Sequence, residues 1–181
     1  MLRRILTTAA AIAEGIANKV AGTYAAPGTT LNVGDRAPDF ALRGSDGRVH
    51  RLSELKGQTV IVAWFPKAFT GGCTAECKSL RSNGDLLRRF SVQYFAASVD
   101  NLDTNAEFAT SLELDYPVLS DPSRETARAW GVLDTSGFAQ RWTFIVGPDG
   151  RILAIDRQVS AGSHGSDIGR MLTVLGVQER T

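Results

Sequence analysis

The stretch Thr59-Val60-Ile61-Val62-Ala63-Trp64-Phe65 is apolar almost without alternation and stops at Pro66. Such a run predicts a strand covered on both faces, in the middle of a sheet, so layers must pack above and below it. The next residues, Lys67-Ala68-Phe69-Thr70-Gly71-Gly72-Cys73-Thr74-Ala75-Glu76-Cys77, break that strand at a proline and a glycine pair, then turn helical. Cys73 is thereby placed at a helix N-terminus, where unpaired N–H groups and the positive end of the dipole stabilise an anion. A thiol in that position titrates low and is reactive.

Around this segment the sequence predicts alternating strands and helices. Residues 39–42 and 49–52 flank Gly44-Ser45-Asp46-Gly47 as a hairpin, and 142–146 with 152–155 flank Pro148-Asp149-Gly150-Arg151 as a second. Ser53 to Gly57 reads as a short helical turn, Val92 to Val99 as a second central strand, and Pro117 to Leu119 as a short strand. Helices are expected over 73–90, with Gly84 weakening the middle, over 104–112, from Asp121 as cap with Pro122 in the first turn, and over 168–175. Together these give an α/β fold with a mixed central sheet flanked by helices.

The chain has 181 residues and only the two cysteines Cys73 and Cys77, so no disulfide scaffold is available. His50 and His164 lie far apart without companion ligands, and no metal site or cofactor is expected. A net charge of +1 gives no reason to expect nucleic acid. Residues 1–30 read as a separate N-terminal amphipathic helix and linker, with Leu2, Ile5, Leu6, Ala9, Ile12, Ala13, Ile16 and Val20 at helical spacing. Glu14 interrupts any secretory apolar core. Packing on the domain or a second subunit, weak membrane contact and targeting all remain open for this helix. The expected domain is 31–181, and the expected compartment is cytoplasmic, with export or membrane association through residues 1–25 as the alternative.

From about Val33 to Val177 the chain resembles the peroxiredoxins, thioredoxin-fold thiol peroxidases, and is most similar to the bacterioferritin-comigratory type. Pro66, Thr70 and Cys73 match the family pattern P-x-x-x-[ST]-x-x-C, and Gly34 to Phe40, Ser98-Val99-Asp100 and Tyr116 to Asp121 resemble further family segments in order. The resemblance implies a thioredoxin-like fold with an N-terminal hairpin extension. It implies Cys73 as peroxidatic nucleophile, Arg141 as the cation beside it, Thr70 as a hydroxyl for the substrate, and Pro66 as a shield against water. Gly72 offers a backbone N–H to the substrate oxygens, and Glu76 is the acid that orders the arginine. Core packing, ordinary helix capping and solvated charges are the alternative roles for these residue types.

Peroxide is the implied substrate and a thioredoxin-like protein the implied reductant, with a homodimer left open. Cys77 is the candidate resolving thiol. In the bacterioferritin-comigratory layout the second cysteine follows by five residues; here it follows by four. Residues at that spacing share a helix face with Cβ atoms ~5–6 Å apart, whereas a disulfide needs ~3.5–4.5 Å, so the first turn must loosen. The other reading is a buried Cys77 and an external thiol that resets Cys73. No cysteine follows Cys77, so a partner-tail disulfide is not expected. Two rivals stand beside the peroxidase. A thioredoxin-like oxidoreductase needs Cys-x-x-Cys and a proline where Trp142 stands; a redox-relay sensor shares the first oxidation step.

Overall fold

The structure is a computed structural model and describes residues 30–180; the predicted N-terminal helix and most of its linker lie outside the described residues. A single seven-stranded mixed sheet runs in the order β2-β1-β5-β4-β3-β6-β7. Its strands are β1 (Ala41–Gly44), β2 (Val49–Arg51), β3 (Thr59–Trp64), β4 (Val92–Ser98), β5 (Val118–Ser120), β6 (Thr143–Val146) and β7 (Ile152–Asp156). β3, β4 and β5 run parallel, while the hairpins β1–β2 and β6–β7 join antiparallel at the two sides.

β3 lies inside the sheet, between β4 and β6, as its sequence requires. Val60, Val62 and Trp64 enter the core on one face with Phe95, Trp130 and Phe144. Ile61, Ala63 and Phe65 enter the other, with Cys73, Cys77, Leu80, Phe108 and Ile168. Both sets are buried, so the period-2 alternation separates two apolar faces rather than an apolar from a polar one. The helices are α1 (Gly71–Ser82), α2 (Gly84–Arg88), α3 (Leu102–Ser111), α4 (Glu125–Ala129) and α5 (His164–Val174).

Several helix boundaries depart from the sequence expectation. The segment expected as one helix from Cys73 to Phe90 begins at Gly71 and breaks at Asn83 into α1 and α2. The Asn83 side chain donates to the Ser79 carbonyl at 2.8 Å, offering that acceptor a partner outside the helical ladder. Asp121 does not stand at the N-cap either. α4 begins at Glu125, after Arg124 at φ 63°. Asp121 nevertheless does a cap's work from upstream: its Oδ2 accepts from the Ala127 amide at 2.7 Å. α5 starts at His164, four residues earlier than its apolar periodicity alone indicated.

Candidate active site

The C-terminal ends of β3 and β4 and the N-terminal end of β6 converge on one corner of the sheet. Trp64 donates its amide to the Trp142 carbonyl at 2.8 Å, which fixes the approach to β6 beside the end of β3. The chain then turns through Pro66 to Thr70. That turn is fastened to the end of β4, where Asp100 Oδ2 accepts from the Ala68 amide and from the Ser98 hydroxyl, both at 2.9 Å. Phe69 is 55% exposed at φ 62°. A non-glycine residue holds that backbone region at a cost of roughly 1–2 kcal/mol. Edge contact with Phe108, at 5.2 Å between centroids, helps keep it there.

Thr70 is the N-cap of α1 by backbone conformation, with φ −92° and ψ 153°. Its hydroxyl makes no capping bond to a helix amide and instead donates to the Lys67 carbonyl at 2.9 Å. It therefore accepts from no helix amide, and the exposed hydroxyl stays at the rim. Cys73 is the third residue of the helix, within the first turn, and is 1% exposed. The amides of Gly71, Gly72 and Cys73 have no intrahelical acceptor, so they and the dipole favour negative charge there.

Arg141 is brought to this turn from the opposite element. Strand alternation puts it on the same face as Thr143 and Ile145, toward α1. One guanidinium nitrogen, Nη2, donates to Cys73 Sγ at 3.4 Å, and Nη1 donates to Glu76 Oε2. Burial works against its charge, yet Glu76 and Cys73 outweigh that and hold Arg141 above its ordinary range. Glu76 is 1% exposed. It does not face the opening, so its place is behind Arg141 and not against a substrate.

Gly72 has a steric reason. A Cβ there would lie 2.9 Å from Arg141 Nη2. Gly72→Ala therefore displaces the guanidinium from the sulfur while improving intrinsic helix propensity. We expect the rate of Cys73 oxidation by peroxide to fall about tenfold with thermal stability within about 1 kcal/mol of the parent. Stopped-flow oxidation beside thermal denaturation checks this; an unchanged rate would show that Arg141 is not held by that contact.

Cys77 lies one turn further along α1 and is fully buried. The Tyr116 hydroxyl donates to its carbonyl at 2.9 Å. Burial, then the neighbouring Glu76 carboxylate, pushes its thiol up to about 12. The fold thus favours the neutral thiol. That stabilisation is complete below the unfolded thiol value of ~8.5 and is lost as pH rises toward the folded one. The urea midpoint should fall between the ordinary thiol range and about 12, and less steeply in Cys77→Ala. Equal slopes in the two proteins would contradict this.

His164 is the residue that sequence reasoning set aside. It is fully buried, with Nε2 2.8 Å from Thr143 Oγ1 and Nδ1 3.2 Å from Glu76 Oε1. Its spacing carried a signal: His164, Ile168 and Leu172 stand at i, i+4 and i+8, and all three are buried. Arg124 donates to the Gly137 carbonyl at 2.9 Å and Arg128 is exposed, so neither joins the site. Among the described residues, no cluster of three His, Cys, Asp or Glu side chains is placed to hold a metal, and no helix is long and apolar enough to cross a membrane.

A buried thiol in the first turn of a helix, faced by an arginine at the ends of a thioredoxin-like sheet, defines a thiol-based redox enzyme. The AhpC/TSA family model matches residues 33–155. A putative peroxiredoxin of Mycobacterium tuberculosis is 34% identical over 153 residues, 81% of this chain and 98% of that one. Peroxiredoxin Bcp of Escherichia coli is 31% identical over 141 residues, 74% of this chain and 90% of that one. Among solved structures, peroxidoxin BcpB from Mycobacterium tuberculosis superposes with TM-score 0.72 at 28% identity, covering 81% of this chain and 97% of that one. A mutant of PrxQ from Xylella fastidiosa shares the fold with TM-score 0.76 at 22% identity, over 82% and 99%. The chain belongs to the AhpC/TSA family and is a peroxiredoxin, a peroxidase oxidoreductase of the thioredoxin fold.

Proposed function

We propose that this chain reduces hydrogen peroxide and organic hydroperoxides through Cys73, with Cys77 resolving the oxidised thiol and a thioredoxin-like dithiol restoring both. The observation that carries the reading is the Arg141 guanidinium, which donates to Cys73 Sγ at 3.4 Å in the first turn of α1. The Cys73 thiolate attacks the terminal peroxide oxygen, the O–O bond breaks, and the leaving oxygen takes a proton to become water or alcohol. Sulfur is oxidised by two electrons to a sulfenic acid. Arg141 and the amides of Gly72 and Cys73 offer donors where charge builds on the departing oxygen. Thr70 supplies a hydroxyl at the rim, and Pro66 limits water at the turn.

In the second step Cys77 sulfur attacks Cys73 sulfur, a disulfide forms, and the sulfenic oxygen leaves as water. Inside the intact helix Cys77 is a poor nucleophile, because its thiol is held up to about 12. Unwinding the first turn of α1 both shortens the sulfur separation and lets water reach Cys77. Gly71 and Gly72 make that turn easy to open. The resulting disulfide is strained and is readily reduced by an outside dithiol.

Mass spectrometry after one equivalent of hydrogen peroxide tests the cycle, with Cys77→Ser alongside. The expected result is a cross-linked Cys73–Cys77 peptide in the parent and a sulfenic acid on Cys73 in the variant. A parent that holds a stable sulfenic acid on Cys73, with Cys77 still alkylatable after denaturation, would replace internal resolution by direct reduction from an external thiol.

A further inference from the structure

We propose that His164 is a positioning residue for peroxide reduction, acting on Cys73 through Glu76 and Arg141. This rests on the reading of Cys73 as the nucleophile. Glu76 is a buried carboxylate with two oxygens and two different neighbours. Oε2 accepts from Arg141 Nη1, and Oε1 faces His164 Nδ1 at 3.2 Å. The other guanidinium nitrogen of the same Arg141 reaches Cys73 Sγ at 3.4 Å. Four side chains from three separate segments therefore form one line from α5 to the sulfur.

Chemistry assigns the protons along that line. An ionised carboxylate only accepts, so Nδ1 presents its N–H to Glu76. Nε2 lies 2.8 Å from Thr143 Oγ1, a hydroxyl able to donate or accept, which holds the ring from its other side. Glu76 Oε1 and His164 Nδ1 approach at 3.2 Å without the alignment of a hydrogen bond, and among the described residues neither atom has another hydrogen-bond partner. Each is thus the other's outlet for hydrogen bonding.

The frame that holds them is close-packed. The Gly165 amide donates to Ser79 Oγ at 3.0 Å, and a Cβ on Gly165 would lie 2.4 Å from the Ser79 carbonyl oxygen. The N-terminus of α5 is thereby pressed against α1 one turn beyond Glu76. The titratable groups that face the imidazole and its carboxylate are Arg141 from the approach to β6, with Cys77 of α1 and Tyr116 ahead of β5 close enough to feel the Glu76 charge. His164 draws on Oε1, which fixes the carboxylate plane and leaves Oε2 for Arg141. Without that anchor Glu76 can turn, and the guanidinium turns with it away from the sulfur.

The test compares His164→Leu, which removes the donor, with His164→Asn, whose side-chain amide can present N–H near the Nδ1 position. The readouts are the second-order rate of Cys73 oxidation by hydrogen peroxide and the pH at which Cys73 becomes alkylatable. His164→Leu should slow oxidation about tenfold and move that pH upward, while His164→Asn stays within about threefold of the parent. Both variants are expected to lose thermal stability, so stability alone decides nothing. Oxidation and alkylation unchanged in His164→Leu, or lost equally in both variants, would overturn the proposal. If His164→Leu does not fold, Thr143→Val against Thr143→Ser carries the same comparison; the valine protein should be the slower, and equal rates would be the refutation. Cys73→Ser runs beside them. Peroxide consumption that survives that change would remove the nucleophile itself, whereas a Cys73-dependent rate indifferent to His164 would remove only the relay.

Discussion

Cys73→Ser should lower the second-order rate of peroxide reduction by about 10⁴-fold or more, the scale seen when an activated nucleophile is removed. The change is small in shape and large in chemistry. Arg141 still has an atom to which it can donate, and the first-turn amides of α1 still point at the same place. What is lost is the sulfur, a far better nucleophile toward oxygen than a serine hydroxyl without a base beside it. Cys73 is buried, so exchanging sulfur for oxygen costs on the order of 1 kcal/mol of packing, too little to unfold the domain. A folded, inactive protein by circular dichroism and peroxide-consumption assay is the expected pair of results. Consumption at the parental rate would place the chemistry elsewhere in the chain.

Arg141→Met carries the second large effect, and it falls on two quantities at once. The side chain is 24% exposed, but its partner Glu76 is 1% exposed. Taking away the cation leaves a buried carboxylate that faces His164 and no compensating arginine. Stranding a charge in this way costs about 3–5 kcal/mol, and partial access of water through the Arg141 position puts the expectation at the lower end. The oxidation rate should drop about 10²-fold, because a preorganised donor to the sulfur and the departing oxygen is gone. The double variant Arg141→Met with Glu76→Gln separates the two losses. Neutralising Glu76 should recover most of the urea stability while the rate stays low. A rate that recovers along with stability would mean Arg141 serves the fold and not the reaction.

The parts of the fold that could be read from the chain are those with a strong period. β3 announced itself because Thr59 to Phe65 has no polar face, and both hairpins were marked by glycine-containing loops between apolar runs. The break at Asn83 was not readable, because it depends on a side-chain amide returning to the Ser79 carbonyl and on Gly84 packing near Asp115. The start of α4 was misplaced for a similar reason: Asp121-Pro122 has the composition of a helix start, while the residue that turns the chain is Arg124 at φ 63°.

Of the site, the thiol end was legible and the far end was not. Cys73 and Glu76 are three residues apart, so any helix unites them. Arg141 was placed by family resemblance, since nothing in its own neighbourhood distinguishes it from a surface charge. His164 reaches Glu76 only because α5 folds back across α1, a long-range contact that local patterning does not encode. Phe69, apolar in the sequence, is left more than half in solvent by the strained turn.

The Tyr116 bond to the Cys77 carbonyl, together with the Asp100 clasp on the Ala68 amide, has a consequence in time. On the proposed cycle the sulfenic acid waits for the first turn of α1 to open, and Tyr116 marks where that opening stops. The lifetime of the oxidised sulfur is then set by the opening equilibrium of a few residues and not by the reactivity of either thiol. A second peroxide molecule that arrives within that interval meets a sulfenic acid still open to further oxidation. On that cycle the clasp acts as a timer, and the dose of peroxide at which the enzyme is lost depends on how firmly the turn leading into α1 is held.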